Sequence, residues 1–423
     1  MERRVAITGL GAVTPVGNDV ESTWKSLVDG RSGVGPITTF DPSSYKVQIA
    51  GHVKNFDVST YLANPDDAKY LSRAAAFGVA AAKQAIEDAG ISPDLYSPYD
   101  SGMSIGSCVP RPEFQELGDI LYTRHTSEGR QLVRQSAASV MARAQNSGMA
   151  TMARTYRFQG PMISVSTACS ASAHALGEAF RAIGEGDATL MLAGGYDALT
   201  TYLDVLGFSL LGALTSDYND QPEKASRPFD RTRSGFVLGE GSVIVVLEEW
   251  EAAKNRGAHI YGEIVGYGSS MNAYRITDAP PDGSGVYLAM EAALRESGLS
   301  TNDVDYVVAH GTSTPGNDLC ETNAIKRVFG DDAYRLVVSS PKSMTGHTTS
   351  AAAGLNLLAA VLAMRDGIVS PTINLENPDP QLDLDYVANE ARPMQVRAAM
   401  VNAFAFGGTN GSLVVRNPAM MEA

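Results

Sequence analysis

The sequence predicts an α/β protein made of two similar halves fused around one core, and three observations carry that expectation. First, short apolar runs at 5–8, 103–106, 190–193, 243–247 and 306–309 alternate with longer, alanine-rich helical stretches, the rhythm of strands layered against helices. Second, the helix end Ala85-Ile86-Glu87-Asp88-Ala89-Gly90-Ile91-Ser92 reappears as Ala293-Leu294-Arg295-Glu296-Ser297-Gly298-Leu299-Ser300. Glycine, the residue that most readily enters the left-handed conformation of a helix end, stops both copies. Each copy then crosses an aspartate-bearing loop into a strand, 102–106 or 306–309, and a tandem duplication explains the match. Third, no Pro/Ser-rich linker interrupts the chain near residue 255. The halves 1–255 and 256–423 are therefore expected to share a core, with the active site where they meet.

Composition narrows the function classes. The 423-residue chain is 44% hydrophobic, ample for a large core, and carries a formal charge of -14. That field repels polyanions before contact, which argues against nucleic acid or an anionic membrane as a partner. Cys108, Cys169 and Cys320 are odd in number, irregularly spaced and form no C-x-x-C. Neither a disulfide framework nor a metal site is expected, and a reducing cytoplasm is the expected compartment. No run approaches the roughly eighteen apolar residues of a membrane span, and the charged N-terminus lacks a signal peptide's apolar region.

Taken in chain order, the first candidate stretch is Ser164-Val165-Ser166-Thr167-Ala168-Cys169-Ser170-Ala171-Ser172-Ala173-His174, which turns from a strand pattern into a small-residue helix reaching about Ile183. Cys169 then sits at or near a helix N-terminus. There the helix dipole and unpaired N–H groups are expected to lower the thiol's pKa towards the range where it attacks thioesters, and small neighbours leave room for a long acyl chain. Free cysteine is as often a packing residue, so position alone leaves both roles open. His310 ends a strand and opens Gly311-Thr312-Ser313-Thr314-Pro315, while His347 closes Lys342-Ser343-Met344-Thr345-Gly346-His347 just before a small-residue helix. Loops after strands are where α/β folds usually keep their sites, yet either histidine alone is an even choice, and Lys342 alone reads as a surface lysine. Finally, Asn402-Ala403-Phe404-Ala405-Phe406-Gly407-Gly408-Thr409-Asn410-Gly411 is a glycine-rich loop before the last strand, 412–415, where glycines permit close approach and gating. It is not a G-x-x-x-x-G-K-[ST] phosphate loop, and Gly9-Leu10-Gly11-Ala12-Val13-Thr14 lacks the third glycine of a dinucleotide fingerprint.

Together the ordered set of Cys169, His310-Gly311-Thr312-Ser313-Thr314-Pro315, Lys342 to His347 and Phe406-Gly407-Gly408-Thr409-Asn410 resembles the β-ketoacyl-[acyl-carrier-protein] synthases I and II over nearly the whole chain. Gly235-Phe236-Val237-Leu238-Gly239-Glu240-Gly241 adds a further match between nucleophile and first histidine. The resemblance implies a thiolase-like fold, two βαβ-type halves in five α-β-α-β-α layers, and a dimer. It implies that Cys169 takes an acyl chain from acyl carrier protein, that His310 and His347 stabilise the enolate left when malonyl-carrier protein loses carbon dioxide, and that Lys342 supports them electrostatically. Cys169 and Phe406 would supply the oxyanion hole, Phe406 the gate, and Thr312 and Thr314 the phosphopantetheine contacts. No cofactor and no metal are implied. Carrier docking in the family uses basic residues, for which Lys69 and Arg73 are the candidates.

Three departures bear on gating or chain selection: Ala405 before the gating phenylalanine, Thr348-Thr349-Ser350 after His347, and Cys108-Val109-Pro110-Arg111-Pro112 in place of a glycine-rich pocket segment. Asn317-Asp318-Leu319-Cys320-Glu321-Thr322 looks more like the ketosynthase subunits of type II polyketide or polyene systems, whereas Gly407 to Gly411 has the fatty-acid form. Two pathways thus share one chemistry: fatty-acid elongation, or iterative polyketide or polyene elongation beside a chain-length-factor partner. A non-catalytic chain-length partner is a third reading, opposed by the retained Cys169, His310 and His347. Thiolase itself would need a second cysteine where Phe406-Gly407-Gly408 stands.

Overall fold

The structure, a computed structural model, describes residues 3–112, 114, 116–118 and 136–420. Among the described residues ten strands form the large sheet, beside two small two-stranded ones. The first half contributes β1 (Val5–Val13), β2 (Ser101–Gly106), β3 (Met162–Val165), β4 (Leu190–Asp197) and β5 (Gly241–Glu249); the second contributes β6 (Gly262–Met271), β7 (Tyr306–Val308), β8 (Val337–Ser339), β9 (Ala398–Phe404) and β10 (Thr409–Arg416). From its outer edge the first half runs β3-β2-β4-β5-β1, and the second runs β8-β7-β9-β10-β6. Both use one order, with the first three neighbours parallel and the rest antiparallel. The halves join where β1 pairs with β6, Val5 opposite Ile264 and Ile7 opposite Gly262. Buried Glu263 accepts from both Arg4 and Arg416 at this seam.

Five layers result. Helix α1 (Arg73–Asp88) covers the outer face of the first half, α2 (Ala171–Glu185) and α5 (Ala352–Asp366) lie between the halves, and α3 (Ser284–Ser297) with α4 (Pro315–Phe329) covers the outer face of the second. Residues Ala352 to Met364 of α5 are buried on every side, which is why that helix is apolar all round.

The duplication is also written in backbone contacts. A Cβ on Gly11 would lie 1.9 Å from the Ala81 carbonyl oxygen of α1, and one on Gly268 would lie 2.0 Å from the Ala289 oxygen of α3. Only glycine lets each helix rest on its strand this closely. Gly90 and Gly298, expected to stop the repeated helices, take φ +65° and +68° just past them. The strand pattern expected just before Cys169 is β3, whereas the strands at 262–271, 337–339 and 398–404 were not anticipated. In β6 the glycines that seat α3 dilute the strand's apolar signal, and β8 is only three residues long.

Each half leads into its inner helix through the same device. A non-glycine residue with positive φ, Ala168 (+49°) or Thr349 (+45°), opens a three-residue 3₁₀ turn, Ala168–Ser170 or Thr349–Ala351, before α2 or α5 begins. Cys169 and Ser350 are the middle residues of these turns. No helix among the described residues is long and apolar enough to cross a membrane, and no cluster among them suits a metal ion.

Candidate active site

The nucleophile's position follows from that turn. The left-handed conformation of Ala168, costly without a reason, bends the chain so that Cys169 points between the halves, 7% exposed. Two backbone N–H groups, its own and that of Phe406, are directed at the sulfur. The expectation of a lowered thiol pKa is corrected here. Burial, followed by the negative charge of Asp197, pushes the thiol up to about 12, and Lys342 and the two N–H groups offset this only in part. A helix end favours thiolate where water also reaches the sulfur; full desolvation reverses the sign.

His310 follows β7 in a loop fastened by two carboxylates of α4. The His310 and Gly311 N–H groups donate to Glu321 at 2.8 and 2.9 Å, and Thr312 N–H donates to Asp318 at 3.0 Å. Asn356 ties the same layer together, donating to the carbonyls of Ala309 and Asn402, both at 3.0 Å. His347 accepts the Thr349 N–H at Nδ1, 3.2 Å, which leaves Nε2 as its protonated nitrogen. The two imidazoles stand 5.2 Å apart at 80°. Burial holds both well below the usual histidine pKa, with the Lys342 charge as the second cause, so each is neutral and offers one N–H donor.

Lys342 is 1% exposed and its ammonium has no hydrogen-bond partner. Burial lowers it to about 8, against the opposing pull of Glu321, Cys169 and Asp318. A cavity of about 280 Å³ is lined by Cys169, His310, His347, Thr312, Thr314 and Phe406, among others. The two threonine hydroxyls are 2.9 Å apart, and Thr314 also caps α4. Phe406 is half-buried with its ring 6.3 Å from that of Phe236, and the next residue, Gly407, donates to the Ile276 carbonyl at 2.7 Å.

The fold thus brings the Cys, both His, both Thr and Phe406 to one cavity, and Lys342, outside its lining, is buried near enough for its charge to act on both imidazoles. Lys69 and Arg73 lie outside that lining. Lys69 is exposed, but Arg73 pairs through two nitrogens with buried Glu240. Burial raises the Glu240 carboxyl, yet His52 and Arg73 together hold it down to about 2. Sequence reasoning missed Glu321, Asp318 and Asp197. The first two left a signal, since carboxylates three apart in one helix share a face.

The beta-ketoacyl synthase N-terminal domain matches residues 2–253 and the C-terminal domain residues 261–376. The chain is 46% identical over 98% of its length, and 98% of the relative's, to the 3-oxoacyl-[acyl-carrier-protein] synthase 2 of Coxiella burnetii (strain RSA 493 / Nine Mile phase I). Among solved structures it resembles a type II PKS acyl-carrier protein in complex with its ketosynthase bound to the hexaketide, with TM-score 0.87 and 34% identity covering 98% of this chain and 99% of that one. It also resembles the ishigamide ketosynthase/chain length factor, with TM-score 0.88 and 32% identity covering 99% and 100%.

Proposed function

The chain belongs to the beta-ketoacyl synthase family, and we propose that it catalyses the decarboxylative Claisen condensation of an acyl group on Cys169 with malonyl-acyl-carrier-protein, giving 3-oxoacyl-carrier protein, carbon dioxide and free carrier. The observation that carries this reading is the convergence of a buried thiol, two neutral imidazoles and two backbone N–H groups on one cavity.

In the first half-reaction the Cys169 sulfur attacks the carrier thioester carbonyl. The carrier's C–S bond breaks, and the thiol proton passes through an imidazole to the departing phosphopantetheine sulfur. Since the resting group is a thiol, attack is coupled to substrate arrival. Malonyl-carrier then enters, its arm held by Thr312 and Thr314 and admitted past Phe406. As the bond to the carboxylate breaks, the electron pair moves into the thioester, and the enolate oxygen accepts the N–H groups of His310 and His347. Neutral imidazoles donate without protonating the carbanion equivalent, and the Lys342 charge helps to keep them neutral. The enolate carbon attacks the acyl-Cys169 carbonyl; the tetrahedral oxyanion rests on the Cys169 and Phe406 N–H groups and collapses, releasing the cysteine. The enzyme uses no cofactor of its own beyond the carrier's phosphopantetheine.

The two halves 1–255 and 256–423 divide the work, the first holding the nucleophile and the second the histidines and gate. Acyl carrier protein is the partner, with Lys69 and Arg73 as the basic docking contacts, Arg73 being held by Glu240. The enzyme is a dimer with a second copy or with a chain-length factor. Strand β3, at the end of the sheet, supports this with one paired edge and Met162 47% exposed. The cytoplasm is the proposed compartment, in keeping with three free cysteines. Fatty-acid elongation is the main pathway reading, favoured by the 46% identical relative; polyketide or polyene elongation is the second, favoured by the two ketosynthase structures above. The test is product analysis: wild type with acyl- and malonyl-carriers should release carbon dioxide and 3-oxoacyl-carrier in equal amounts. Carbon dioxide without the condensed product would reject the reaction.

A further inference from the structure

A second cleft, of about 310 Å³, is lined by the turn 14–18 and by Ser26, Arg31, Ser32 and Lys54. The chain has 47 acidic and 33 basic residues, yet this lining holds two cations and no carboxylate. Asp29 meets Arg31 Nη2 at 2.9 Å but also takes Lys25 at 3.1 Å, so one carboxylate serves two cations. Lys54 has no carboxylate partner among the described residues, and its ammonium donates to the Gly33 carbonyl at 3.3 Å. The rim is braced. Asn18 Nδ2 donates to the carbonyls of Lys54 and Asn55 at 2.8 and 3.3 Å, clamping a turn in which Asn55 takes φ +52°. Thr14 and Gly17 exchange backbone hydrogen bonds at 2.7 and 3.3 Å. Ser32 Oγ accepts the Val34 N–H at 3.3 Å and keeps its own hydrogen to donate.

A guanidinium, an ammonium and a hydroxyl around one cleft are donors for an oxyanion. Phosphate suits them better than carboxylate, because its greater negative charge and three acceptor oxygens can answer all three donors at once. The cleft also backs onto the segment that carries Lys342 and His347. Gly33 N–H donates to the Met344 carbonyl at 2.7 Å, and Pro15 of the lining packs on Gly33 so closely that a Cβ there would lie 2.8 Å from it. A phosphate oxygen gives Lys54 a stronger bond than the neutral Gly33 carbonyl does. An anion in the cleft would therefore draw Lys54 away and loosen the residue that anchors Met344, between Lys342 and His347.

We propose that this cleft binds a phosphate-bearing small molecule, with Arg31 and Lys54 as its charged contacts, and that occupancy slows condensation through Gly33 and Met344. The slowing rests on the condensing reaction proposed above; the binding does not. No residue that lines this cleft lines the cavity of Cys169, so Arg31 and Lys54 stand outside the catalytic machinery.

The experiment titrates the purified full-length protein with inorganic phosphate and with pyrophosphate by calorimetry. One site per chain is expected, weakened by added salt; the tighter of the two probes tells a monophosphate ligand from a diphosphate one. Arg31→Met/Lys54→Met should weaken binding about tenfold or more, as the loss of two charge-assisted hydrogen bonds requires. Should the double variant fail to fold, Lys54→Gln, whose amide can still donate to Gly33, carries the same test. In the product assay, saturating phosphate should lower wild-type kcat about threefold by loosening the catalytic segment, leave KM for the carrier unchanged, and spare the double variant. No binding of either probe, or equal binding by wild type and variant, would overturn the site. Inhibition that raises KM and persists in the variant would put the phosphate at the mouth of the catalytic cavity and overturn it too. Binding that leaves kcat untouched would overturn the regulation. A wild type that binds phosphate yet forms no product would keep the site and remove the reaction instead.

Discussion

The two halves enter their inner helices by the same strained turn, yet one turn holds a nucleophile and the other a wall. Cys169 and Ser350 occupy the same place, the middle of a 3₁₀ turn opened by a residue of positive φ. Cys169 faces two neutral imidazoles and a second N–H donor from Phe406. Ser350 faces Cys108 and the Asp197 carboxylate. The turn is common property of the duplicated fold; the Asp197 charge reaches both turns, and what makes one copy reactive is its donors, two imidazoles and two backbone N–H groups.

The comparison can be broken most severely by moving the thiol. The double variant Cys169→Ala/Ser350→Cys should show no recovery of condensation, its rate remaining roughly a thousandfold or more below wild type, because a thiolate beside Asp197 is repelled and has no imidazole donor. A rate within tenfold of wild type in the product assay would refute this. Next in size, His347→Ala and His310→Ala should each lower malonyl-carrier decarboxylation by about 10²–10³-fold, with folding confirmed by circular dichroism.

Symmetry itself is tested by Gly11→Ala and Gly268→Ala. Each places a Cβ within 2.0 Å of a helix carbonyl oxygen, so each should cost about 3 kcal/mol in denaturant unfolding. A large difference between them would mean that the halves do not share this contact.

A smaller effect separates the halves by pH. His310 and His347 belong to the second half, and their folded pKa values lie well below the ordinary one. Below about pH 6.5 the unfolded chain therefore binds protons that the folded chain does not. Stability is full above pH 6.5 and is lost as pH falls towards the folded values, by up to about 1.4 kcal/mol per pH unit for each histidine. Urea unfolding between pH 7.5 and 5 should give that slope, and His310→Gln/His347→Gln should reduce it. Smallest of all, Lys69→Glu should raise KM for carrier protein about threefold with kcat unchanged, an effect that salt erases.

The fold class was legible because strands, helices and glycine stops are local patterns, and the repeated helix end around Gly90 and Gly298 exposed the duplication. Cys169, His310 and His347 stand at breaks in those patterns, but it was the family resemblance, not the breaks alone, that singled them out. Burial was not legible. Cys169 read locally is a thiol at a helix end, whereas its pKa is decided by the close packing of α2, α5 and the Phe406 loop and by Asp197. Arg73, a docking candidate from the resemblance, also pairs with Glu240, a partner that lies far along the chain. Glu321 left only its spacing from Asp318 as a trace, because its partners, the N–H groups of His310 and Gly311, carry no side-chain signature.

The central claim, that Cys169 alone carries the acyl group, is tested most directly by intact mass after wild type and Cys169→Ala are exposed to acyl-carrier proteins with C2 to C16 chains. The account predicts one thioester adduct per wild-type chain, removed by hydroxylamine, and none on the variant. An adduct on folded Cys169→Ala, or none on folded wild type with any chain, would contradict it.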